Sequence, residues 1–109
     1  MITRLITYLF LVTIFPSIVV AQRMFPANEL VPQCDAANFQ GGICYGMITA
    51  MAFVGPILPP ELTFCPPAGD TNAQDVRVVL HYIEQHPERR HEDIRLLAVE
   101  AFRSVWPCK

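Results

Sequence analysis

The chain has few residues of the kind that carry catalysis. After residue 21 it has one serine, Ser104, and the helical pattern around it places that hydroxyl on a polar face with no base beside it. His81, His86 and His91 recur every five residues, a spacing that does not stack on one helix face, and Pro87 falls between the last two. Solvated or capping histidines fit this pattern better than metal ligands. We therefore predict no catalytic residue, no metal site, no cofactor and no enzymatic activity.

The chain also lacks the excess of positive charge found in nucleic-acid-binding proteins. Arg4 is the single charged residue among residues 1–21, so the remainder has 7 basic and 10 acidic residues and a net charge of −3. Nothing alternates like a strand for long enough to outweigh the helical patterns, and no repeat or second domain is visible. We expect one all-α domain over residues 22–109, a small disulfide-braced bundle of about four helices that does not bind nucleic acid.

Residues 1–21 have the pattern of a signal peptide. Arg4 provides a short positive start, residues 5–20 are apolar, and small residues ending at Ala21 resemble a cleavage site. An uncleaved membrane anchor is the alternative, but Pro16 interrupts a run that is already short for a span of about 20 residues. We expect cleavage before Gln22, export to the periplasm and no membrane association afterwards.

Four cysteines follow the predicted signal peptide: Cys34, Cys44, Cys65 and Cys108. An even number in an exported chain is typical of two disulfides, and the absence of a Cys-x-x-Cys pair disfavours zinc. A domain of this size buries only about 60–65% of its unfolded surface, so covalent bridges matter to its stability. Of the three possible pairings we favour Cys34 with Cys108 and Cys44 with Cys65. This pairing ties the first segment to the last helix, and the second helix to the loop before the third.

Two amphipathic helices are predicted between Cys65 and Cys108. Thr71 and Gln74 form a capping-box pattern at the start of the first, which should stop at His86 because Pro87 follows it. The apolar stripe of the first comprises Val76, Val79, Leu80 and Ile83. That of the second comprises Ile94, Leu97, Ala98, Ala101, Phe102 and Val105.

Patterns in the first half are weaker. We expect residues 22–32 to be extended, residues 34–39 to form one or two helical turns, and Gly41 and Gly42 to break them. Residues 43–54 should form a helix that places Cys44 toward the core. Within it, Gly46 would permit close approach of another backbone.

Two segments are candidate contacts with a partner protein. Residues 55–60 form a stiff, apolar loop that exposes Ile57 and Leu58 unless these simply cover the core. Residues 84–93 form a charged turn that is either a solvated helix junction or a recognition surface. The candidate contact residues of that turn are Glu88, Arg89, Arg90, His91 and Glu92. Three aromatic side chains are large enough to anchor an interface, namely Tyr45, Tyr82 and Trp106.

The order of several motifs resembles the Rap/Tai family of small exported immunity proteins, which neutralise type VI secretion amidase effectors. The motifs are Phe64-Cys65-Pro66-Pro67 with Gly69 and Thr71, then Val78-Val79-Leu80-His81-Tyr82-Ile83, His86-Pro87-Glu88-Arg89-Arg90-His91-Glu92 and Trp106-Pro107-Cys108. Asp93 departs from the family pattern, in which a proline often opens the last helix. The resemblance implies an all-helical, disulfide-bonded periplasmic homodimer that binds a peptidoglycan amidase effector and blocks its active site.

An acid-stress chaperone of the HdeA kind is the alternative hypothesis. Such proteins are also small, helical, periplasmic and disulfide-braced, and they expose apolar surface as carboxylates become protonated. The two hypotheses differ in their partner, because an immunity protein binds one toxin and a chaperone binds many unfolded clients.

Overall fold

The structure is a computed structural model that describes residues 24–109. Within those residues the chain forms four α-helices: α1 (Ala27–Leu30), α2 (Phe39–Val54), α3 (Asn72–Gln85) and α4 (Ile94–Val105). Short 3₁₀ segments occupy Val31–Gln33, Gly55–Ile57 and Pro87–Arg89, and no strand is present in this part of the chain. The predicted all-helical fold is confirmed. The predicted signal peptide, residues 1–21, lies outside the described residues.

The predicted ends of α3 are confirmed. The Thr71 hydroxyl accepts a hydrogen bond from the Gln74 backbone N–H at 3.3 Å, and the Gln74 side chain accepts one from the Thr71 N–H at 2.8 Å. This reciprocal pair satisfies two N–H groups that the helix start would otherwise leave unpaired. Helix α3 ends at Gln85, because Pro87 disfavours the helical conformation at His86.

The predicted break at Gly41 and Gly42 is wrong, because α2 begins at Phe39 and runs through both glycines. The Asn38 side chain caps it by accepting a hydrogen bond from the Gly41 N–H at 3.0 Å. A Cβ atom at Gly41 would lie 1.8 Å from the backbone oxygen of Ala36. Glycine is therefore needed there so that the turn before α2 can pack against the helix, and the cap outweighs its low helix propensity.

The N-terminal segment was predicted to be extended, but part of it forms α1 and packs on the turn before α4. The Ala27 and Asn28 N–H groups donate to the carbonyl oxygens of Glu92 and Arg90, at 3.0 and 2.8 Å. Ala27 is fully buried and Leu30 nearly so. These contacts fix the turn to the N-terminal segment.

Helices α2, α3 and α4 pack against one another around a single apolar core. Its largest fully buried side chains are Phe64, Phe102, Ile48, Ile83, Ile94, Leu97, Val79 and Cys44. The rings of Phe64 and Phe102 lie 4.9 Å apart, and Trp106 stacks on Phe102 at 5.6 Å. Burial of Cys44, Ile48 and the stripes of α3 and α4 follows the predicted periodicity, except that Val105, the last residue of the α4 stripe, is 51% exposed.

The predicted disulfide pairing is wrong: the bonds join Cys34 to Cys44 and Cys65 to Cys108. Because α2 begins before Cys44, the turn ending the first 3₁₀ segment lies beside it, with the Cα atoms of Cys34 and Cys44 5.2 Å apart. The Cys65 N–H donates to the Trp106 carbonyl at 2.8 Å, which brings the Cα atoms of the second pair to 5.0 Å. Both distances are typical of disulfides. Each bridge therefore braces one end of the bundle.

Candidate functional site

An apolar groove lies between the C-terminal end of α2, the loop that follows it and one face of α4. Its volume is about 280 Å³. Its apolar lining consists of Met51, Leu58, Leu62, Leu96 and Val99. Its charged rim consists of Glu92, Arg95, Glu100 and Arg103. Leu96 is 62% exposed and Leu62 43% exposed, so large apolar side chains are open to a partner here.

Ion pairs hold one side of the rim. The Arg89 guanidinium bonds to the carboxylates of Glu92 and Glu100, with further bonds of 3.1 and 3.0 Å to their second oxygens. The Tyr82 hydroxyl donates to Glu100 at 3.0 Å and accepts from Arg89 at 3.1 Å. Arg89 lowers the pKa of both glutamates, whereas burial and then Glu100 raise the pKa of Tyr82. The network joins α3, the charged turn and α4, and so keeps the rim rigid.

Asp93 holds the other side of the rim. Its carboxylate caps α4 by accepting from the Arg95 N–H at 2.9 Å, and accepts from the Arg95 guanidinium at 2.8 and 2.7 Å. The Phe25 N–H donates to it at 3.1 Å. Arg95, foremost among these groups, lowers the pKa of Asp93 to about 2. One buried carboxylate therefore fixes the start of α4, the N-terminal segment and an arginine on the groove rim.

The structure brings only some of the predicted contact residues together. Leu58 and Glu92 line the same groove, although they come from the two separate segments proposed from sequence. Ile57 is 81% exposed beside Leu58 in the chain. Arg89 lies under the rim in its ion-pair network.

The remaining residues of the charged turn lie outside the groove. Glu88 is exposed and its carboxylate lies 3.2 Å from the His86 ring nitrogen. Arg90 and His91 are exposed and do not line the groove. The polar part of the site is therefore narrower than the whole turn.

Sequence reasoning missed most of the groove, including Met51, Leu62, Leu96 and Val99. One signal was available, because Leu96 lies off the apolar stripe of α4, on a face that an amphipathic helix keeps polar. An unexplained leucine on a polar face is a reason to look for a partner.

The three aromatic residues considered as interface anchors have different surroundings. Tyr82 belongs to the ion-pair network, and Trp106 stacks on Phe102 in the core. Tyr45 is 40% exposed on α2. Tyr45 is therefore the one of the three whose side chain is largely available to a partner.

Helix α2 has a second apolar surface on the side facing away from the core, which we call the open face. It consists of Phe39, Gly42, Gly46 and Ala50, all exposed. No atom lies within 4 Å of the place that a Cβ atom at Gly46 would occupy, so the expected close approach of another backbone does not occur within residues 24–109. The run Phe39–Ile57 is long and apolar enough to cross a membrane. However, the face of this run opposite the open face packs into the core.

The described residues offer little for chemistry. No group of three or more His, Cys, Asp or Glu side chains within residues 24–109 could hold a metal ion. The Ser104 hydroxyl donates to the Ala101 carbonyl of its own helix at 2.7 Å. The exposed apolar groove beside α4 remains the candidate site for contact with another protein.

Comparison with known proteins agrees with this interpretation. A family model described as Rap1a immunity proteins matches residues 27–108. No curated protein and no solved structure matches the chain. The matched range includes all four helices, both disulfides and every residue of the groove.

Proposed function

Because this chain belongs to the family of Rap1a immunity proteins, we propose that it binds a peptidoglycan amidase effector and occludes the active site of that enzyme. Immunity proteins of this kind are not enzymes, and they act by binding a cognate toxin. The family match over residues 27–108 is the observation that carries the proposal. It also favours immunity over the acid-stress chaperone considered from sequence.

The groove beside α4 is the surface we assign to the toxin. It combines exposed leucines with a rim of both charges, which is the composition expected of an interface core and its polar border. The Asp93 and Arg89 contacts hold the rim in place before binding, so little side-chain freedom is lost when the complex forms. A rigid surface of this kind can block an active site without any chemistry of its own.

Export to the periplasm is part of the proposal. Both disulfides need an oxidising compartment to form. The family is one of immunity proteins, and the resemblance found in the sequence implies that the toxins they bind cut the cell wall. Residues 1–21 would supply the signal peptide. N-terminal sequencing of the protein purified from periplasm should find Gln22 first, and a chain that keeps Met1 would contradict export by cleavage.

We also propose a homodimer formed through the open face of α2. Small residues at Gly42 and Gly46 would let two helices approach closely, and Phe39 would be covered by the second copy. Sedimentation should show a dimer for the wild type and a monomer for Ala50→Glu, with Ala73→Glu, an exposed position on α3, as the matched control. A wild-type monomer at high concentration, or a dimeric Ala50→Glu variant, would contradict this interface.

The function is tested with the purified protein and candidate peptidoglycan amidases, beginning with any that neighbouring genes encode. We expect wild-type protein to form a stable complex and to stop cleavage of purified peptidoglycan. Leu96→Glu should weaken the complex by about thirtyfold or more, since a central apolar contact contributes about 2 kcal/mol or more. Val105→Glu is the matched control, because Val105 is exposed on α4 but does not line the groove. Equal loss in both variants would move the site elsewhere, and no inhibition by the wild type would contradict the proposal itself.

A further inference from the structure

A small acidic pocket lies on the flank of α2 opposite the toxin groove. Its volume is about 180 Å³. The residues that line it are Thr49, Ala52 and Phe53 of α2, together with Pro66, Asp70, Asn72 and Asp75. The groove and the pocket both flank the C-terminal end of α2, with Met51 lining the groove and Thr49, Ala52 and Phe53 lining the pocket.

Asp75 is an unusual residue at the base of this pocket. It is 3% exposed, and its Oδ1 atom has no hydrogen-bond partner. The half-buried carboxyl of Asp70 lies beside it. Within residues 24–109, neither aspartate is in an ion pair with a basic side chain. A buried carboxylate oxygen without a hydrogen-bond partner is costly, so its presence calls for a reason.

The electrostatics of the pair agree with the geometry. Burial, and after it the hydrogen bond and charge of Asp70, raise the pKa of Asp75 to about 6. At neutral pH and above Asp75 is therefore mostly ionised, and no cation from residues 24–109 compensates its charge. Sites that destabilise a protein in this way are often binding sites, because a ligand restores the missing interaction.

We propose that this pocket receives the ammonium group of a lysine side chain of the toxin. Two carboxylates and the Thr49 oxygen offer acceptors for the three N–H donors of an ammonium group. The Thr49 hydroxyl donates to the Tyr45 carbonyl at 3.0 Å, which leaves its lone pairs for an incoming donor.

Other occupants fit less well. The pocket is too small for more than the end of one side chain. A second copy docked through α2 has no cation to offer from that helix, because Phe39–Val54 contains no lysine or arginine. A divalent metal ion would have only two carboxylates as strong ligands. The net charge of −3 after residue 21 also favours a basic partner surface.

The pocket itself can be tested without the toxin. N-acetyl-lysine methylamide would be titrated at pH 8 into the full mature protein carrying ¹³C-labelled aspartate, with N-acetyl-norleucine methylamide as the uncharged matched ligand. We expect the Asp75 and Asp70 carboxyl signals to shift and saturate with the lysine compound only, with a dissociation constant on the order of millimolar. Glu84→Gln is the matched control variant: it replaces an exposed carboxylate of α3 and should leave the titration unchanged.

Two results of the titration would overturn the proposal that the pocket binds an ammonium group. One is an equal shift with the norleucine compound, and the other is a lysine-dependent shift of Asp70 that persists in Asp75→Asn. Displacement of the lysine compound by an equal concentration of calcium chloride would overturn the assignment to lysine.

The identity of the protein that supplies the lysine rests on the proposed function, and a second measurement separates the two. In the toxin complex, Asp75→Asn should weaken affinity by about tenfold or more, whereas Glu84→Gln should not. If the lysine compound binds but Asp75→Asn leaves toxin affinity unchanged, the toxin is not the source of the lysine. If the compound binds but no toxin binds the wild type, the proposed function is wrong and the pocket still stands.

Discussion

Removing the charge of Asp93 should lower stability at neutral pH and leave it unchanged at very low pH. The carboxylate is nearly buried and accepts hydrogen bonds from Phe25 and Arg95, and its pKa falls from the ordinary 3.8 to about 2. The lower pKa in the folded state corresponds to about 2 kcal/mol of unfolding free energy. Because the folded protein holds the ionised form, this contribution is present above about pH 4 and is lost as the pH falls through about 2.

Asp93→Asn is the appropriate variant, because asparagine caps a helix as well as aspartate does but carries no charge. Denaturant unfolding with both disulfides intact should show a loss of about 2 kcal/mol at pH 7 and almost none at pH 2. Asp35→Asn, which removes an exposed carboxylate, should change stability by less than about 0.5 kcal/mol at either pH. A variant as stable as the wild type at pH 7, or an equal loss at both pH values, would refute the reasoning.

Three further predictions concern stability. Gly55→Ala should cost about 1–3 kcal/mol, because the new Cβ would lie 2.3 Å from a buried phenylalanine ring. Denaturant unfolding compares it with the wild type, and unchanged stability would contradict the packing. Replacing Cys65 and Cys108 by serine should lower the free energy of unfolding by about 4 kcal/mol, and replacing Cys34 and Cys44 by about 2.7 kcal/mol, because the second disulfide closes a shorter loop. Non-reducing peptide mass mapping should first show both pairs, and a different pairing would contradict the structure. Asp75→Asn should stabilise the protein by about 2–3 kcal/mol above pH 7 and not at all below pH 4, because the raised pKa means that ionising Asp75 destabilises the folded state and asparagine does not ionise. Thermal unfolding across this pH range checks it, and destabilisation at pH 8 would count against it.

The helices were predictable where local signals agreed. The capping box at Thr71, the stop before Pro87 and the stripe from Ile94 onward each involve residues within one or two turns, and the structure has them as predicted. The start of α2 was missed, because the tight packing of Gly41 against the preceding turn outweighs the rule that paired glycines break helices.

Long-range features could not be obtained in the same way. The disulfide pairing depends on which cysteines the folded chain brings within about 5–6 Å of each other, and loop lengths alone do not determine that. The groove is assembled from α2, the following loop and α4, so its lining has no common sequence signature. The acidic pocket likewise depends on Asp70 and Asp75 meeting α2 in three dimensions.

Inhibition of peptidoglycan cleavage by the purified protein is the most direct test of the central claim, that a rigid surface beside α4 blocks an amidase. With the partner amidase as the target, we expect the wild type and Val105→Glu to abolish cleavage at equimolar concentration, and Leu96→Glu to require about thirtyfold more protein for the same inhibition. Undiminished cleavage in the presence of wild-type protein, with no complex detected, would contradict the claim.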